Sequence, residues 1–150
     1  MKFLWLSALV IGLDQVTKWL ADARLDLYQP VPVLPGFNLT LMYNTGAAFS
    51  LLGDAGGWQR WFFTALALAA SVVLVAWLRR LQPGERLLAT ALALILGGAA
   101  GNLIDRVVFG HVIDFLDVYL GDRHWPAFNI ADSAITVGAV LFLVDAFRPP

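Results

Sequence analysis

Residues His111 to Ser133 read HVIDFLDVYLGDRHWPAFNIADS, and two of the four aspartates in this stretch stand in apolar surroundings. Asp114 follows Val112 and Ile113 and precedes Phe115, while Asp132 follows Ile130 and Ala131 and opens the last apolar run of the chain. A carboxylate beside apolar sequence is costly unless it is paired, protonated or put to use. Two of them, each at the edge of a membrane-type segment, predict a pair of carboxyl groups meeting at a membrane surface.

The rest of the chain supports a membrane setting. Of 150 residues, 59% are hydrophobic and 14% charged, and the mean hydropathy is +0.72. A typical soluble domain is about 45–50% apolar and about 25% charged. A net charge of −1 lacks the basic excess that nucleic-acid binding needs. With no cysteine, disulfides, thiolate metal sites and cysteine nucleophiles are excluded, and two histidines are too few for a histidine metal cage. No metal or other cofactor is expected. The length suits one domain, residues 1–150.

Four stretches predict transmembrane helices, at about 3–20, 59–78, 87–104 and 129–147. The first starts like a signal peptide after Lys2. No small-x-small site closes it and Asp14-Gln15 interrupts it, so it reads as a retained span. Asp14 and Lys18 lie i, i+4 with the acid first, the better orientation for an internal ion pair. Trp61–Leu78 and Leu87–Ile104 each run 18 residues without a charge, and Trp58, Trp61 and Trp77 suit interface anchors. Gly97 and Gly101 allow a neighbouring helix to pack close, and Asn102 and Arg106 share a helical face. Between the first two spans, Pro30, Pro32 and Pro35-Gly36 predict turns, and Phe37 to Tyr43 alternates with a strand's period of two. That strand runs into Asn44-Thr45-Gly46-Ala47-Ala48-Phe49-Ser50, whose small residues let the backbone approach a ligand closely.

With four spans, the segments on one side total 13 residues and hold Lys2, Arg79, Arg80, Arg86 and Arg148. The 64 residues on the other side hold only Arg24, Arg60, Arg106 and Arg123. The excess of basic residues on the cytoplasmic side predicts both termini in the cytoplasm. Asn44, Asn102, Arg106, Asp114, Asn129 and Asp132, with the polar end of the first helix, then gather at the outer boundary.

Two carboxyl groups brought close cannot both ionise readily, so the pair shares a proton. The ionised member can activate water while the protonated one donates to a carbonyl oxygen, as in aspartic proteases. Other readings of the same residues stay open at this level. Asp114 could form a salt bridge with Arg106 or Arg123, and Asp132 could cap a helix N-terminus. Ser50 and Ser133 lack an evident base, although a pair with Lys18 is conceivable. Intramembrane aspartates also serve proton-coupled transporters, but here the polar residues cluster at one boundary instead of lining a path through the midplane. A scaffold packed through its glycines gives no reason for the polar residues to converge.

Five blocks, in order, carry a resemblance along nearly the whole chain. They are Asp14-Gln15-Val16-Thr17-Lys18, Asn44 to Ser50, Gly97 to Arg106, Val112-Ile113-Asp114-Phe115 and Phe128 to Ser133. In these the chain resembles the bacterial lipoprotein signal peptidases (type II, or prolipoprotein, signal peptidases). The resemblance implies an aspartic endopeptidase of the bacterial inner membrane, cutting a prolipoprotein's signal peptide before a cysteine that carries diacylglycerol. It implies a dyad of Asp114 and Asp132. Asn44, Gly98, Asn102, Arg106, Asn129 and Ala131 would shape or line the substrate site, and Asp14 and Lys18 would support it. The implied partners are diacylglyceryl prolipoproteins, membrane lipid and globomycin-type inhibitors, on a monomer whose active site lies near the periplasmic face. The expected class is an all-α membrane protein of four transmembrane helices with a small extracytoplasmic β element. Phe115 to Ala127 would form a periplasmic lid or surface helix over the cleft. Two departures stand out: the stretch between the dyad aspartates is slightly short, and Asp117 is an extra acid that a helix would place on the face of Asp114.

Overall fold

The computed structural model describes residues 2–46 and 56–148. Ala47 to Ser50 of the small-residue block, and the loop from Gly53 to Ala55, lie outside the described residues. The elements run α1 (Leu4–Arg24), β1 (Pro30–Leu34), β2 (Phe37–Asn44), α2 (Trp58–Arg80), α3 (Arg86–Val108), β3 (Val112–Leu120), β4 (Arg123–His124) and α4 (Ile130–Ala146). The four strands form one antiparallel sheet in the order β1-β2-β3-β4.

The four helices fall where the apolar runs predict them. Each 23-residue helix, α2 and α3, is about 35 Å long and apolar enough to cross a bilayer. Helix α1 has 21 residues interrupted by Asp14 and Lys18, and α4 has 17 residues.

Glycines set the helix spacing. A Cβ on Gly97 would lie 2.8 Å from the Cβ of Val10 on α1. One on Gly98 would lie 2.3 Å from the carbonyl oxygen of Ala131 on α4. Gly138 of α4 approaches the Ala91 carbonyl of α3 in the same way. Helix α3 is therefore the centre of the bundle, with α1 and α4 in close contact with it. At one end of the bundle Phe3 and Leu4 meet Leu78, Leu88 and Phe142 around Leu74, Leu92 and Leu96. At the other end Ala21 of α1 meets Leu41 of β2 and Ile113 and Phe115 of β3, with Ile130 of α4 packed against them. Tyr43 adds a tie there, its hydroxyl donating to Asp22 at 2.6 Å. The C-terminal end of α3 is capped from α2. The Arg60 guanidinium donates to the carbonyls of Arg106 and Val107, each at 2.8 Å, supplying partners that a helix C-terminus otherwise lacks.

The sheet is larger than the single strand expected, and it corrects two local readings. Pro30 and Pro32 do not make turns; they lie in β1, an edge strand, where a missing N–H breaks no interior ladder. Only Pro35-Gly36 turns the chain, with Gly36 at φ +85° as a type II turn requires. Phe115 to Ala127 is neither a surface helix nor a free lid. Its first part is β3, rich in β-branched and aromatic residues and paired along β2 from Phe37↔Val118 to Asn44↔Val112. Gly121-Asp122 then turns the chain into β4, with positive φ at the glycine.

Candidate active site

Asp114 lies on β3 and Asp132 in the first turn of α4, at the end of the bundle that carries the sheet. Asn129 joins them. Its side-chain oxygen accepts from the Asp132 backbone N–H at 2.9 Å, which caps α4, and the Asp132 carboxylate accepts from the Asn129 backbone N–H in return. The N-cap is thus Asn129, with Asp132 at the third helical position. The Asn129 amide nitrogen meanwhile donates to Asp114 Oδ1 at 2.7 Å. Asn102 of α3 donates to Asp132 Oδ1 at 2.8 Å, and Asn44 at the end of β2 donates to Asp114 Oδ2 at 3.1 Å. Neither aspartate has a salt bridge among the described residues; each is held by neutral amides. Burial first, and the neighbouring Asp132 charge second, push the Asp114 carboxyl up to about 7, against the pull of the Asn44 and Asn129 hydrogen bonds and of the Lys18 charge.

Beneath the amides lies a buried ionic cluster. Lys18 is 2% exposed and pairs with Asp14 and Asp105, each at 2.8 Å. Its ammonium also donates to Asn102 Oδ1 at 2.9 Å, which leaves the Asn102 nitrogen to face Asp132. Asp14 accepts the backbone N–H of Ala131 at 2.8 Å, and Asp105 accepts that of Ile113 at 3.1 Å. The residue before each dyad aspartate is therefore held by a carboxylate, and one lysine joins the two carboxylates. Gln15 completes the cluster, donating to Asp105 at 2.8 Å. The i, i+4 pair of Asp14 and Lys18 is legible in sequence. Asp105 and Gln15 are not singled out there, although both lie in the blocks that carry the resemblance.

The remaining predicted residues take distinct places. Asn44, Asn102, Arg106, Asp114 and Asp132 line a cleft of about 640 Å³ whose walls include Val112, Trp125, Pro126, Phe128, Ile135 and Val137. Arg106 donates to the Gly46 carbonyl and lies over the Phe63 ring, with its Nε buried and unpaired among the described residues. Gly98 and Ala131 stand behind the cleft and set how closely α3 and α4 approach. Asn129 is completely buried and acts on the two aspartates from behind.

Two rival readings lose support. Ser133 donates to the Asn129 carbonyl, and Lys18 is enclosed by carboxylates, so the two form no nucleophile–base pair; Ser50 lies outside the described residues. Asp117 is on β3 with Asp114 but three residues on, so the alternation of a strand points it to the opposite face. Its partners there are Asn38, Thr40 and His124.

The family profile described as Signal peptidase (SPase) II matches residues 6–148. Proteins named lipoprotein signal peptidase are similar along nearly the whole chain. That of Acinetobacter baumannii is 58% identical over 145 residues, 97% of this chain and 82% of the relative. That of Pseudomonas paraeruginosa is 57% identical over 150 residues, 99% of this chain and 89% of the relative. That of Alteromonas mediterranea is 55% identical over 148 residues, covering 99% and 81% respectively. A solved structure described as a bacterial membrane enzyme, determined in meso at 2.3 Å, matches with a TM-score of 0.87 and 31% identity over 97% of this chain and 87% of the other. A second, at 1.9 Å, gives 0.85 and 30% over 99% and 94%.

Proposed function

The chain belongs to the signal peptidase II family, and we propose that it removes signal peptides from prolipoproteins by an aspartic mechanism centred on Asp114 and Asp132. It is a membrane-bound protease, as the family and the apolar helices support. The observation that carries the mechanism is the carboxyl pair itself: two aspartates, neither paired with a cation among the described residues, joined through Asn129 in a cleft with apolar walls.

In the resting site the buried pair shares one proton, since two close carboxyl groups do not both ionise readily, and in this mechanism that proton rests on Asp114. Ionised Asp132 takes a proton from water, and the resulting hydroxide oxygen bonds to the scissile carbonyl carbon. Asp114 gives its proton to the carbonyl oxygen, so no free oxyanion forms. The tetrahedral intermediate collapses as the C–N bond breaks and the leaving nitrogen takes the proton held by Asp132. As the C=O bond re-forms, one of the two hydroxyl groups of the intermediate returns its proton to Asp114, leaving a neutral carboxylic acid. Arg106 lines the cleft beside the two aspartates, held there by its hydrogen bonds to the Asn102 and Gly46 carbonyls.

The substrate in this reading is a signal peptide followed by a diacylglyceryl-modified cysteine, cut before that cysteine. A polar floor suits the peptide bond, and apolar walls suit acyl chains arriving from the bilayer. All four helices lie in the inner membrane, with both termini cytoplasmic and the cleft near the periplasmic face. The protein acts as a monomer and without a metal, and globomycin-type cyclic inhibitors occupy the same cleft.

The test is cleavage of a diacylglyceryl prolipoprotein by purified protein in detergent. Asp114→Asn and Asp132→Asn are each expected to lower turnover by at least about 100-fold, with Asp26→Asn, an exposed acid, unchanged. Folding is checked by thermal unfolding. Persistent cutting by Asp132→Asn would leave that residue as a helix-end group only and end the dyad mechanism.

A further inference from the structure

Asp117 is the one aspartate of the central stretch that is buried yet unused by the chemistry. It is 3% exposed and ties three strands together. From β2 its Oδ2 accepts the Thr40 hydroxyl at 2.9 Å and the Asn38 amide at 3.2 Å. From β4 the His124 ring nitrogen Nδ1 meets its Oδ1 at 2.7 Å. That ring also stacks on Tyr119, with centroids 5.1 Å apart. Burial pushes the Asp117 carboxyl up, but the hydrogen bonds from His124, Asn38 and Thr40 outweigh it and hold it below the usual range.

The segment after His124 gives the cluster its importance. Trp125 donates its backbone N–H to Val118 at 2.8 Å, and Phe128 donates to Leu116 at 3.1 Å. Between those ties β3 has one residue, Asp117, and the returning segment has two, Pro126 and Ala127. This is the geometry of a bulge, which bends a strand and re-aims its side chains. Proline also has no N–H to give the ladder. Trp125, Pro126, Ala127 and Phe128 line the cleft that holds the dyad. Strand β4, which feeds this bulged wall, is only two residues long and exposed.

We propose that the Asp117–His124 pair is a latch that fixes the Trp125–Phe128 wall of the cleft, making both residues positioning residues for substrate binding rather than for bond cleavage. The pair lies across the sheet from Asp114. Loosening it moves the wall against which the apolar part of the substrate packs and leaves the carboxyl dyad in place. The inference rests on the peptidase reading, and its test separates the two.

Steady-state cleavage of the diacylglyceryl prolipoprotein is measured for wild type, His124→Ala, His124→Asn, Asp117→Asn and the double variant of His124→Ala with Asp117→Asn. Asparagine places a donor nitrogen close to where Nδ1 sits. His124→Ala is expected to raise KM about tenfold, the scale of a lost hydrogen bond to a charged group, with kcat within about twofold. His124→Asn is expected to recover most of that KM. In the Asp117→Asn background the alanine change adds nothing further, the signature of a coupled pair. In parallel, hydrogen exchange of resting protein in detergent is read over residues 123–128. His124→Ala is expected to speed exchange there and not across residues 112–116. A fall in kcat at constant KM, as from a smaller folded fraction, overturns the latch, and so does unchanged exchange at 123–128. If wild type fails to cut the substrate, the peptidase reading falls, and the exchange experiment alone still decides whether the pair holds the wall.

Discussion

At the level of single residues, the proposed chemistry depends on one aspartate keeping its proton near neutral pH. Asp114 is raised from 3.8 to about 7, first by burial and then by Asp132. Above about pH 7 Asp114 loses its proton, and the proposed acid for the carbonyl oxygen is gone. The rate kcat/KM is therefore expected to fall about tenfold per pH unit on that side. The same shift sets a stability trend. The folded protein holds this proton more tightly than the unfolded chain, so the contribution is most favourable below pH 3.8 and is lost as pH rises toward about 7. Asp114→Asn removes the titration; its melting temperature is expected to drop less between pH 5 and pH 8 than that of wild type. Equal drops in the two proteins would show that Asp114 ionises normally. Asp114 and Asp132 are legible in sequence because their neighbours are apolar, so a charge there demands a reason. Asp105 is not. It falls where an apolar run ends, a position that reads as water-facing, and only the fold encloses it with Lys18.

At the level of elements, the position of Asp132 depends on how closely α4 approaches α3. Gly98 and Asn102 lie one turn apart on α3. The first admits the Ala131 carbonyl and the second holds the Asp132 carboxylate. In Gly98→Ala the new methyl would lie 2.3 Å from that carbonyl and 2.7 Å from the Ile135 side chain, so the helices must part. The expected cost is roughly 1–3 kcal/mol of stability, and activity is expected to fall by at least about tenfold because the dyad opens with the helices, roughly the factor that 1.36 kcal/mol on the barrier makes. Gly12→Ala is the control. Gly12 has nothing within 4 Å of the added methyl and should keep wild-type melting and activity. A Gly98→Ala protein as active and stable as Gly12→Ala would mean that the close packing does not set the dyad. The small residues of α3 announce close packing in the sequence, but not which partner each one meets. Strand β3 is harder to read. Asp114 and Asp117, three apart, fit one face of a helix as well as two faces of a strand, and only pairing with β2 decides.

For the whole molecule, orientation in the membrane is the property that charge counting predicts most directly, and the fold gives that count a shape. The α2–α3 turn, the start of α1 and the end of α4 meet at one end of the bundle; the sheet, the cleft and the dyad occupy the other. Lys2, Arg79, Arg80, Arg86 and Arg148 belong to the first end. By the positive-inside rule a basic excess there predicts a cytoplasmic end, and the proposed orientation then puts the sheet and cleft outside. The absence of cysteine makes this directly measurable, because a single introduced thiol is the only one present. Leu120→Cys lies at the tip of the β3–β4 hairpin, where Leu120 is 87% exposed, and Pro83→Cys lies in the exposed turn between α2 and α3. In intact spheroplasts a membrane-impermeant maleimide should label Leu120→Cys at once and Pro83→Cys only after the membrane is opened. Each variant must also retain prolipoprotein cleavage, so that the labelled population is the working one. The reverse pattern would put the cleft in the cytoplasm, on the wrong side for the substrate proposed here. Labelling of both sites before permeabilisation would mean that α2 and α3 do not separate the two compartments, and the four-span arrangement would fall with it.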